Sequence, residues 1–454
     1  CNQILDNFYN FGNGRLSYTK IKIMKIAQNI FLEKKILIYG LGKSGISSFN
    51  FLKDLAQIYL FDDNLKINKS FNQKFINLSE LTKIKIDIII ISPGINISNC
   101  KLSKFLKKNN SKIFTDLDVF YSFYNNKSIT VTGTNGKSTT AKILHDVLLD
   151  QKKDVRLVGN IGNPILNEGK IKKETIFVIE ASSYQLDYSK IFSSKYAIIL
   201  NISPDHLERH KNLKSYVDAK FKLLKFQDKK SFAFVKKNDD LINKNLRLNK
   251  FNSKITKVDT SHNNHFFKKI KNNYFFTDAN KENLSFVIEI AKKLKLKNNL
   301  FLKTIQNFKG LKYRQQTILK KNGLTIINDS KSTSFSSTLS ILKANSNILW
   351  LLGGINKKGD KFNLKKKELN NVRAFIYGKN KNFFNKQLKN KLKLKNFSEL
   401  KDALKSISYL VKKEKLAHSI ILFSPCAASF DSFKNFEDRG LYFNQLVKKY
   451  FNGK

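Results

Sequence analysis

A glycine-rich segment after a short apolar strand places the strongest constraint on how this chain of 454 residues can fold. The strand-like run Ser128–Val131 leads into Gly133-Thr134-Asn135-Gly136-Lys137-Ser138-Thr139. In a phosphate loop, backbone N–H groups surround the phosphates, a lysine contacts the terminal phosphates and a hydroxyl group binds Mg²⁺. The usual form of the loop has a glycine at the position of Val131, so this segment is a variant. It predicts an α/β domain that binds a nucleotide.

Apolar strands that end in glycine or proline turns recur along the chain and predict an α/β fold with three domains. Ile36–Tyr39 ends at such a turn, and so does Ile348–Leu352. The predicted organisation is an N-terminal Rossmann-like domain over 24–115, a central P-loop ATPase-like parallel sheet over 116–310 and a C-terminal Rossmann-like domain over 311–454. Ligands usually bind at the carboxyl ends of parallel strands, so the turns after these strands are candidate binding sites.

Two stretches do not follow this pattern. Residues 1–23 precede Met24, the single methionine, and have no apolar core typical of a signal peptide. We predict that they are a non-native or disordered extension. Residues 238–283 are rich in Asn and Lys and lack clear periodicity, so no helix or strand is predicted there.

The net charge of +49 suggests a nucleic-acid partner at first sight. However, only seven of the 84 Lys and Arg residues are arginine, the residue that makes bidentate contacts to nucleic acids. The basic residues are also spread over the whole chain, which favours compositional drift toward lysine over a nucleic-acid surface. The sequence therefore predicts no nucleic-acid partner.

Other compositional features exclude further classes of protein. Hydrophobic residues make up 41% and aromatic residues 12%, which excludes a wholly disordered polycation. The chain has no run of about 18 uncharged apolar residues, so no membrane insertion is predicted. Its three cysteines lie far apart, which argues against a disulfide framework and favours a cytoplasmic location.

A second glycine motif lies near the start of the chain. Gly40-x-Gly42-x-x-Gly45 follows a strand and opens a helix, and Asp62 ends the next strand. This context is typical of dinucleotide binding, because the glycines let the backbone approach a pyrophosphate at a helix N-terminus. The alternative is a tight turn without a ligand, and the motif alone does not separate NAD from another nucleotide.

Two candidate metal ligands follow strands beside the phosphate loop. Glu180 ends the strand Phe177–Ile179, and a carboxylate in this place is a natural Mg²⁺ ligand. The alternative is an acid that only stabilises a helix N-terminus. His206, after the strand Ala197–Leu200, is either a structural cap or a ligand of metal or substrate.

The last third of the chain offers weaker signals at three strand ends. Asn328–Ser334 contains a carboxylate, an ammonium group and hydroxyls, and Gly353-Gly354-x-x-Lys357 and Ser424–Ser429 follow two further strands. Cys426 is a conceivable nucleophile, but it lies in a small-residue turn and its nearest histidine in sequence precedes the strand. We therefore predict that Cys426 packs and does not react.

Taken together, these motifs resemble the Mur ligase family of ATP-dependent amide ligases. The resemblance to the family rests on Gly133–Thr139, Glu180-Ala-Ser-Ser-Tyr-Gln185, Asp205-His206-x-x-Arg209-His210 and Lys220, in that order. Three further segments are similar to the D-glutamate-adding branch: Gly40–Gly45, Asn328–Thr333 and Ser424–Gly440. The resemblance covers the chain from about residue 33 to its end.

The resemblance implies a reaction in two steps. ATP phosphorylates the carboxylate of UDP-N-acetylmuramoyl-L-alanine (UDP-MurNAc-L-Ala), and the amine of D-glutamate then displaces phosphate from the acyl phosphate. It also implies two Mg²⁺ ions and a monomeric enzyme of peptidoglycan precursor synthesis. The implied catalytic residues are Lys137, Glu180, His206, Lys220 and Lys331. The implied metal ligands are Ser138, Glu180, His206 and Lys220, the last as a carbamate.

The resemblance further implies three sets of binding residues. ATP would be held by Gly133, Thr134, Asn135, Gly136, Lys137, Ser138, Thr139, Arg314, Asp329 and Lys331. The UDP-linked substrate would be held by Gly42, Ser44, Asp62, Ser92, Gly94, Asn160 and His206. D-Glutamate would be held by Thr333, Lys357, Ser429 and Phe436.

The sequence departs from the family pattern at a few positions. Ala279 stands where the family has a histidine, and Asn64 stands where an arginine that grips uracil is common. Two alternatives remain open: a family member that adds another amino acid, and a non-catalytic nucleotide-binding protein that uses its basic surface. An enzyme is favoured over the second alternative by the joint presence of the whole set Lys137, Glu180, His206, Lys220, Asp329 and Lys331.

Overall fold

Three β-sheets organise the part of the chain that the structure, a computed structural model, describes: residues 29–64, 75–261, 265–357, 359–414, 416 and 418–451. The predicted extension at 1–23 lies outside these residues. Contacts divide the chain into two units, one up to Asp259 and one from Thr260 onward. The first unit contains two of the sheets and the second unit contains the third.

The first sheet is parallel and has the strand order β2-β1-β3-β4. Its strands are β1 (Lys35–Tyr39), β2 (Gln57–Phe61), β3 (Ile88–Ile91) and β4 (Ile113–Phe114), with helices α1 (Lys43–Leu52), α2 (Leu78–Lys83), α3 (Ser103–Lys108) and α4 (Asp116–Phe123). Ile36 and Ile38 pack into one hydrophobic cluster, whereas Leu37 and Tyr39 pack into another. Because both faces are covered, β1 is apolar from Ile36 to Tyr39 instead of alternating between apolar and polar residues.

The second sheet is also parallel, in the order β10-β9-β8-β5-β7-β6. Its strands are β5 (Ser128–Thr132), β6 (Val155–Gly159), β7 (Ile176–Glu180), β8 (Tyr196–Ile199), β9 (Phe232–Lys236) and β10 (Lys254–Val258). Its helices are α5 (Lys137–Asp150), α6 (Ser183–Tyr188), α7 (Leu207–His210), α8 (Leu213–Lys225) and α9 (Asp240–Leu248). Strand β5, which feeds the phosphate loop, pairs with β7 and β8, so the turns after all three strands meet at one edge.

The second unit starts with helices α10 (His265–Lys268), α11 (Asp278–Lys293) and α12 (Asn298–Asn307). Its sheet has the order β11-β12-β16-β13-β14-β15, in which only the β11–β12 pair is antiparallel. The strands are β11 (Gln316–Lys321), β12 (Leu324–Asn328), β13 (Ser346–Gly353), β14 (Asn370–Tyr377), β15 (Lys393–Phe397) and β16 (Ile420–Phe423). The helices are α13 (Leu339–Ala344), α14 (Lys381–Leu388), α15 (Leu400–Lys413) and α16 (Phe436–Phe451).

Short 3₁₀ turns complete the described part of the chain: Asn110–Lys112, Ile165–Asn167, Asn273–Phe276, Phe335–Ser337 and Lys366–Glu368. The predicted α/β fold with three parallel or mostly parallel sheets is confirmed. The predicted domain boundaries stay predictions, and contacts place the helices from His265 to Asn307 in the second unit.

The stretch at 238–283, for which no element is predicted, contains α9, β10, α10 and the start of α11. Strand β10 is a sheet edge whose residues are mostly exposed, so it lacks the apolar pattern of the central strands. Among the described residues, no helix is long and apolar enough to cross a membrane.

Candidate active site

The phosphate loop connects β5 to α5 through a left-handed glycine. Gly136 has φ of 85° and is the N-cap of α5, a conformation that favours a residue without a Cβ. The Lys137 ammonium folds back over the loop and donates to the carbonyls of Gly133 and Thr134, each at 2.9 Å. The first N–H groups of a helix lack helical partners, so this 14-residue helix offers donors to an anion. The turn and the start of α5 thus present N–H donors at one point, with the Lys137 ammonium bonded to the loop beside them.

Glu180 lies at the end of β7, beside this loop, and its side chain is buried. One carboxylate oxygen accepts a hydrogen bond of 2.5 Å from the Ser138 hydroxyl, and the other accepts one of 2.9 Å from the Asn160 amide. The fold thus brings two predicted site residues, Ser138 and Asn160, to the carboxylate of a third, Glu180. The alternative of an acid that only stabilises a helix terminus does not explain these two contacts.

Lys220 comes from α8 and is 1% exposed, in contrast to a surface lysine. Its Nζ atom donates to the Gly133 carbonyl at 2.8 Å and lies 4.5 Å from the centroid of the Tyr216 ring. Burial, and after it the charge of Lys137, holds the pKa of Lys220 well below its usual value. Lys137 and Lys220 therefore donate to the same Gly133 carbonyl, and the lowered pKa of Lys220 favours its neutral amine form.

His206 is the N-cap of α7 and adopts a left-handed conformation with φ of 54°. Its Nε2 atom lies 3.4 Å from an Asp205 carboxylate oxygen, and its ring centroid lies 5.0 Å from that of Tyr184. These contacts fix the ring in place but do not decide between a structural cap and a ligand. Among the described residues, no group of three His, Cys, Asp or Glu side chains forms a metal site.

Arg209 is a residue for which the sequence predicts no role of its own. Its guanidinium donates to the carbonyls of Pro93 at 3.0 Å, Gly94 at 3.2 Å and Ile95 at 2.5 Å. It also stacks on Tyr184, with 4.3 Å from its Cζ atom to the ring centroid. Arg209 thus joins the turn after β3 to the His206 turn. Two features of the sequence could have pointed to Arg209: its place in the motif Asp205–His210 and the rarity of arginine in this chain.

The first glycine motif is a closely packed turn. A Cβ on Gly45 would lie 1.9 Å from the Gly40 carbonyl oxygen, so only glycine permits this helix to approach the turn. The Leu41 N–H donates to the Asp62 carboxylate at 2.6 Å, and the Ser92 hydroxyl donates to the Gly40 carbonyl at 2.5 Å. Asp62 and Ser92, both predicted to bind the UDP-linked substrate, therefore support the loop itself.

Ser44 and Gln185 both contact a buried carboxyl group, Asp116, at the start of α4. The Gln185 amide donates to it at 3.3 Å, and burial raises the pKa of Asp116. Gln185 belongs to the motif that begins at Glu180, so Asp116 connects that motif to the helix that follows Gly42.

Asp329 directly follows β12 in the second unit and is buried. Its carboxylate accepts hydrogen bonds from the Ser424 hydroxyl at 2.8 Å and from the Gln315 N–H at 3.1 Å. Burial raises the pKa of Asp329 to about 7, although both hydrogen bonds lower it. The charges of Arg314 and Arg439 also lower it, by a smaller amount.

The predicted amino-acid site lies on loops at one edge of the third sheet. Lys331 Nζ lies 3.9 Å from the centroid of the Phe436 ring, which places these two predicted residues in contact. Ser429 is buried, whereas Thr333 and Lys357 are partly exposed. Cys426 is buried, and burial raises the pKa of its thiol far above the usual value, in agreement with the prediction that it packs.

At the position where the family has a histidine, Ala279 lies in the first turn of α11, which Thr277 caps. The neighbouring Asn280 amide donates to the Tyr274 carbonyl at 2.8 Å. In this structure, Asn280 therefore supports the chain before α11.

Comparison with known proteins gives concordant results. Residues 131–301 match the family described as Mur ligase middle domain. The chain is 34% identical over 451 residues to a UDP-N-acetylmuramoylalanine–D-glutamate ligase of Rickettsia prowazekii, covering 93% of this chain and all of that one. It is 33% identical over 422 residues to the ligase of that name from Francisella tularensis subsp. novicida, covering 91% and 95%.

Solved structures agree at the level of fold. UDP-N-acetylmuramate–alanine ligase from Thermotoga maritima superposes with a TM-score of 0.55 at 17% identity, covering 93% of this chain and all of that one. MurF from Acinetobacter baumannii gives 0.54 at 15% identity, covering 82% and 87%. At such identities the likeness concerns the fold alone.

Proposed function

The chain belongs to the Mur ligase family, and from this premise we propose that it is the ligase that joins D-glutamate to UDP-MurNAc-L-Ala with ATP, in peptidoglycan precursor synthesis. The relatives that carry this name are 32% to 34% identical to it over more than nine-tenths of its length. In the reaction, the substrate carboxylate takes the terminal phosphoryl group of ATP. The amine of D-glutamate then attacks the acyl phosphate, phosphate leaves, and an amide forms.

The observation that carries this proposal is the convergence of Lys137, Glu180 and Lys220 on one phosphate loop. Phosphoryl transfer between two anions depends on positioning and on positive charge more than on a nucleophilic side chain. Lys137 and the N-terminus of α5 supply positive charge, and the Lys137 ammonium has only to leave two backbone carbonyls to reach a phosphate.

Mg²⁺ fits the donors at this loop, because Glu180 and Ser138 present a buried carboxylate and a hydroxyl in direct contact. Bound Mg²⁺ would neutralise phosphate charge during phosphoryl transfer. Until then, the Ser138 and Asn160 hydrogen bonds hold the Glu180 carboxylate in one orientation. We propose Glu180, Ser138 and His206 as ligands, and a second ion as part of the same proposal.

Lys220 is proposed to carry a carbamate. Its neutral amine would attack CO₂, forming an N–C bond and releasing one proton, which turns a cation into a carboxylate-like anion. Burial supports this step, because it favours the neutral amine that reacts. The resulting anion would serve as a further metal ligand.

The UDP-linked substrate is proposed to bind across the first two sheets of the first unit. Gly42 and Ser44 lie at the start of α1, where N–H groups suit a diphosphate. Asp62, Ser92, Gly94 and Asn160 complete this set. D-Glutamate is proposed to bind to Thr333, Lys357, Ser429 and Phe436, where an ammonium and two hydroxyls suit a dicarboxylate. The nucleotide contacts of Arg314, Asp329 and Lys331 stay predictions.

ADP release with UDP-MurNAc-L-Ala and a panel of amino acids tests the proposal. We expect turnover with D-glutamate and little with L-glutamate or meso-diaminopimelate. Turnover with either of the latter but not with D-glutamate would establish a different member of the family. We further propose a monomer that works in the cytoplasm, where ATP and its UDP-linked substrate are made; sedimentation of the purified protein tests the oligomeric state.

A further inference from the structure

A buried arginine in the second unit has no role in the reaction as proposed so far. Arg439 lies on α16, three residues after Phe436, and its side chain is 1% exposed. Among the described residues, Arg156 and Arg373 form ion pairs with carboxylates, whereas Arg439 forms none. Removing a guanidinium from water without a carboxylate partner costs free energy, unless other polar groups compensate for the lost hydration.

Backbone carbonyls hold this guanidinium. Its Nε atom donates to the Ser330 hydroxyl at 3.1 Å, and one terminal nitrogen donates to the carbonyls of Ser330 at 2.7 Å and Ala427 at 2.9 Å. The other terminal nitrogen and the Tyr377 hydroxyl are both buried and bond to no carbonyl or carboxylate; the Tyr377 hydroxyl lies near enough to the guanidinium to interact with it. Arg439 therefore keeps its positive charge among neutral loop groups, with the buried Asp329 carboxyl near enough for the two groups to interact.

The two carbonyls belong to two loops of the proposed amino-acid site. Ser330 separates Asp329 from Lys331, and Ala427 lies two residues before Ser429. The Ser330 hydroxyl also donates to the carbonyl of Phe436 at 2.9 Å. Arg439 is thus bonded to both loops, directly and through one serine.

The third loop, between β13 and Lys357, reaches the same guanidinium. Ile355 and Ala428 exchange two backbone hydrogen bonds of 3.0 and 2.9 Å, which join this loop to the one that Arg439 holds. A Cβ on Gly354 would lie 3.2 Å from this other terminal nitrogen of Arg439 and 2.5 Å from the Ala428 carbonyl oxygen. Glycine here lets the three loops close around one side chain.

We propose that Arg439 is a positioning residue for D-glutamate: it sets the spacing of the three loops that carry Lys331, Ser429 and Lys357, and it places positive charge beneath them. The inference rests on the proposed function of these loops. A guanidinium suits this place because its Nε–H donates to the Ser330 hydroxyl while a terminal nitrogen donates to two carbonyls, whereas lysine has a single nitrogen to make all of these bonds. In a chain with only seven arginines among 84 basic residues, this geometric need explains why arginine stands here.

Steady-state kinetics of the full chain test this role with Arg439→Lys and Arg439→Met. The matched control is Arg373→Lys, which changes a half-buried arginine of the same sheet that pairs with Glu414 at 2.9 Å. We expect Arg439→Lys to raise KM for D-glutamate by about 10-fold or more, because the loop carbonyls lose their shared donor. KM for ATP and for UDP-MurNAc-L-Ala should change by less than about 3-fold, and the control should leave all three unchanged.

Different failures are distinguishable. If the wild-type protein does not use D-glutamate, the proposed function is wrong; if it does and Arg439→Lys keeps the wild-type KM, only the role of Arg439 is wrong. An equal rise in all three KM values, or a lower melting temperature with unchanged KM, would indicate a purely structural role and overturn the inference. Should Arg439→Met not fold, Ser330→Ala removes one acceptor but keeps the charge, and a selective rise in KM for D-glutamate is again required.

Discussion

The phosphate loop of the first unit and the amino-acid loops of the second unit both contain buried charged side chains, but the two regions stabilise these charges differently. At the phosphate loop, Lys137 and Lys220 donate to loop carbonyls and Glu180 accepts from Ser138 and Asn160. In this region, backbone carbonyls and polar side chains are the hydrogen-bond partners of the charged groups. In the second unit, one buried Arg439 nitrogen bonds to no carbonyl or carboxylate, and burial raises the pKa of Asp329.

The two regions therefore differ in how far protein partners neutralise or hydrogen-bond the charged side chains when no ligand is bound. Charged groups that already have protein partners lose little when a ligand exchanges for those partners, so the phosphate loop is expected to hold its shape. The amino-acid loops depend on one guanidinium that joins them, so their geometry is expected to be more sensitive to a single substitution. Four substitutions test this difference between the two regions.

Lys137→Met should have the largest effect. It removes the only lysine of the phosphate loop, and we expect kcat to fall by about 10³-fold because transition-state charge loses a fixed cation. ADP release measures the effect. Lys142→Met, on the same helix but paired with Asp146, is the control and should retain wild-type activity. Similar losses in both variants would mean that helix stability, and not phosphate contact, is responsible.

Lys220→Ala should lower kcat by about 100-fold or more, and added acetate or formate should restore part of the activity by replacing the carbamate. Lys214→Ala, an exposed position on the same helix, serves as the control. Labelling with ¹³CO₂ and detection of a carbamate carbon by NMR checks the modification itself. A fully active Lys220→Ala enzyme would contradict the proposal.

Arg209→Lys should raise KM for the UDP-linked substrate by about 10-fold, because lysine cannot bond to the carbonyls of Pro93, Gly94 and Ile95 together. KM for D-glutamate should stay close to the wild-type value, which separates this arginine from Arg439. Arg156→Lys, in a partly exposed pair with Asp154, is the control. Loss of D-glutamate affinity in Arg209→Lys would erase the contrast between the two regions.

Asp329→Asn should have the smallest effect, which is an increase in melting temperature that depends on pH. The folded pKa of about 7 exceeds the value of 3.8 for an unperturbed aspartate, so ionisation is disfavoured in the folded state. The wild-type protein therefore loses stability as pH rises from about 4 to about 7, and the loss stays constant above that. We expect Asn to raise the melting temperature by about 2–5 °C at pH 8 but not at pH 4. A pH-independent difference would argue against a raised pKa.

The central strands could be predicted because they are buried on both faces, so their apolar runs stand out even in a lysine-rich chain. Strand β10 and helix α9 could not, because an edge strand and an amphipathic surface helix keep the same Asn and Lys residues as the loops around them. The burial of Lys220 was not predicted either: the family resemblance implied a carbamylated metal ligand, and the structure alone shows that this lysine is buried.

From the sequence alone came the phosphate loop, the strand that leads into it and the family to which the chain belongs. These depend on residue types at short, regular spacings, which a sequence records directly. Only the tertiary structure decided that Glu180 meets Ser138 and Asn160, that Arg209 joins two turns and that Arg439 connects three loops. Many of these bonds end on backbone carbonyls, which every residue carries, so no residue type announces them and only the folded chain brings donor and acceptor together.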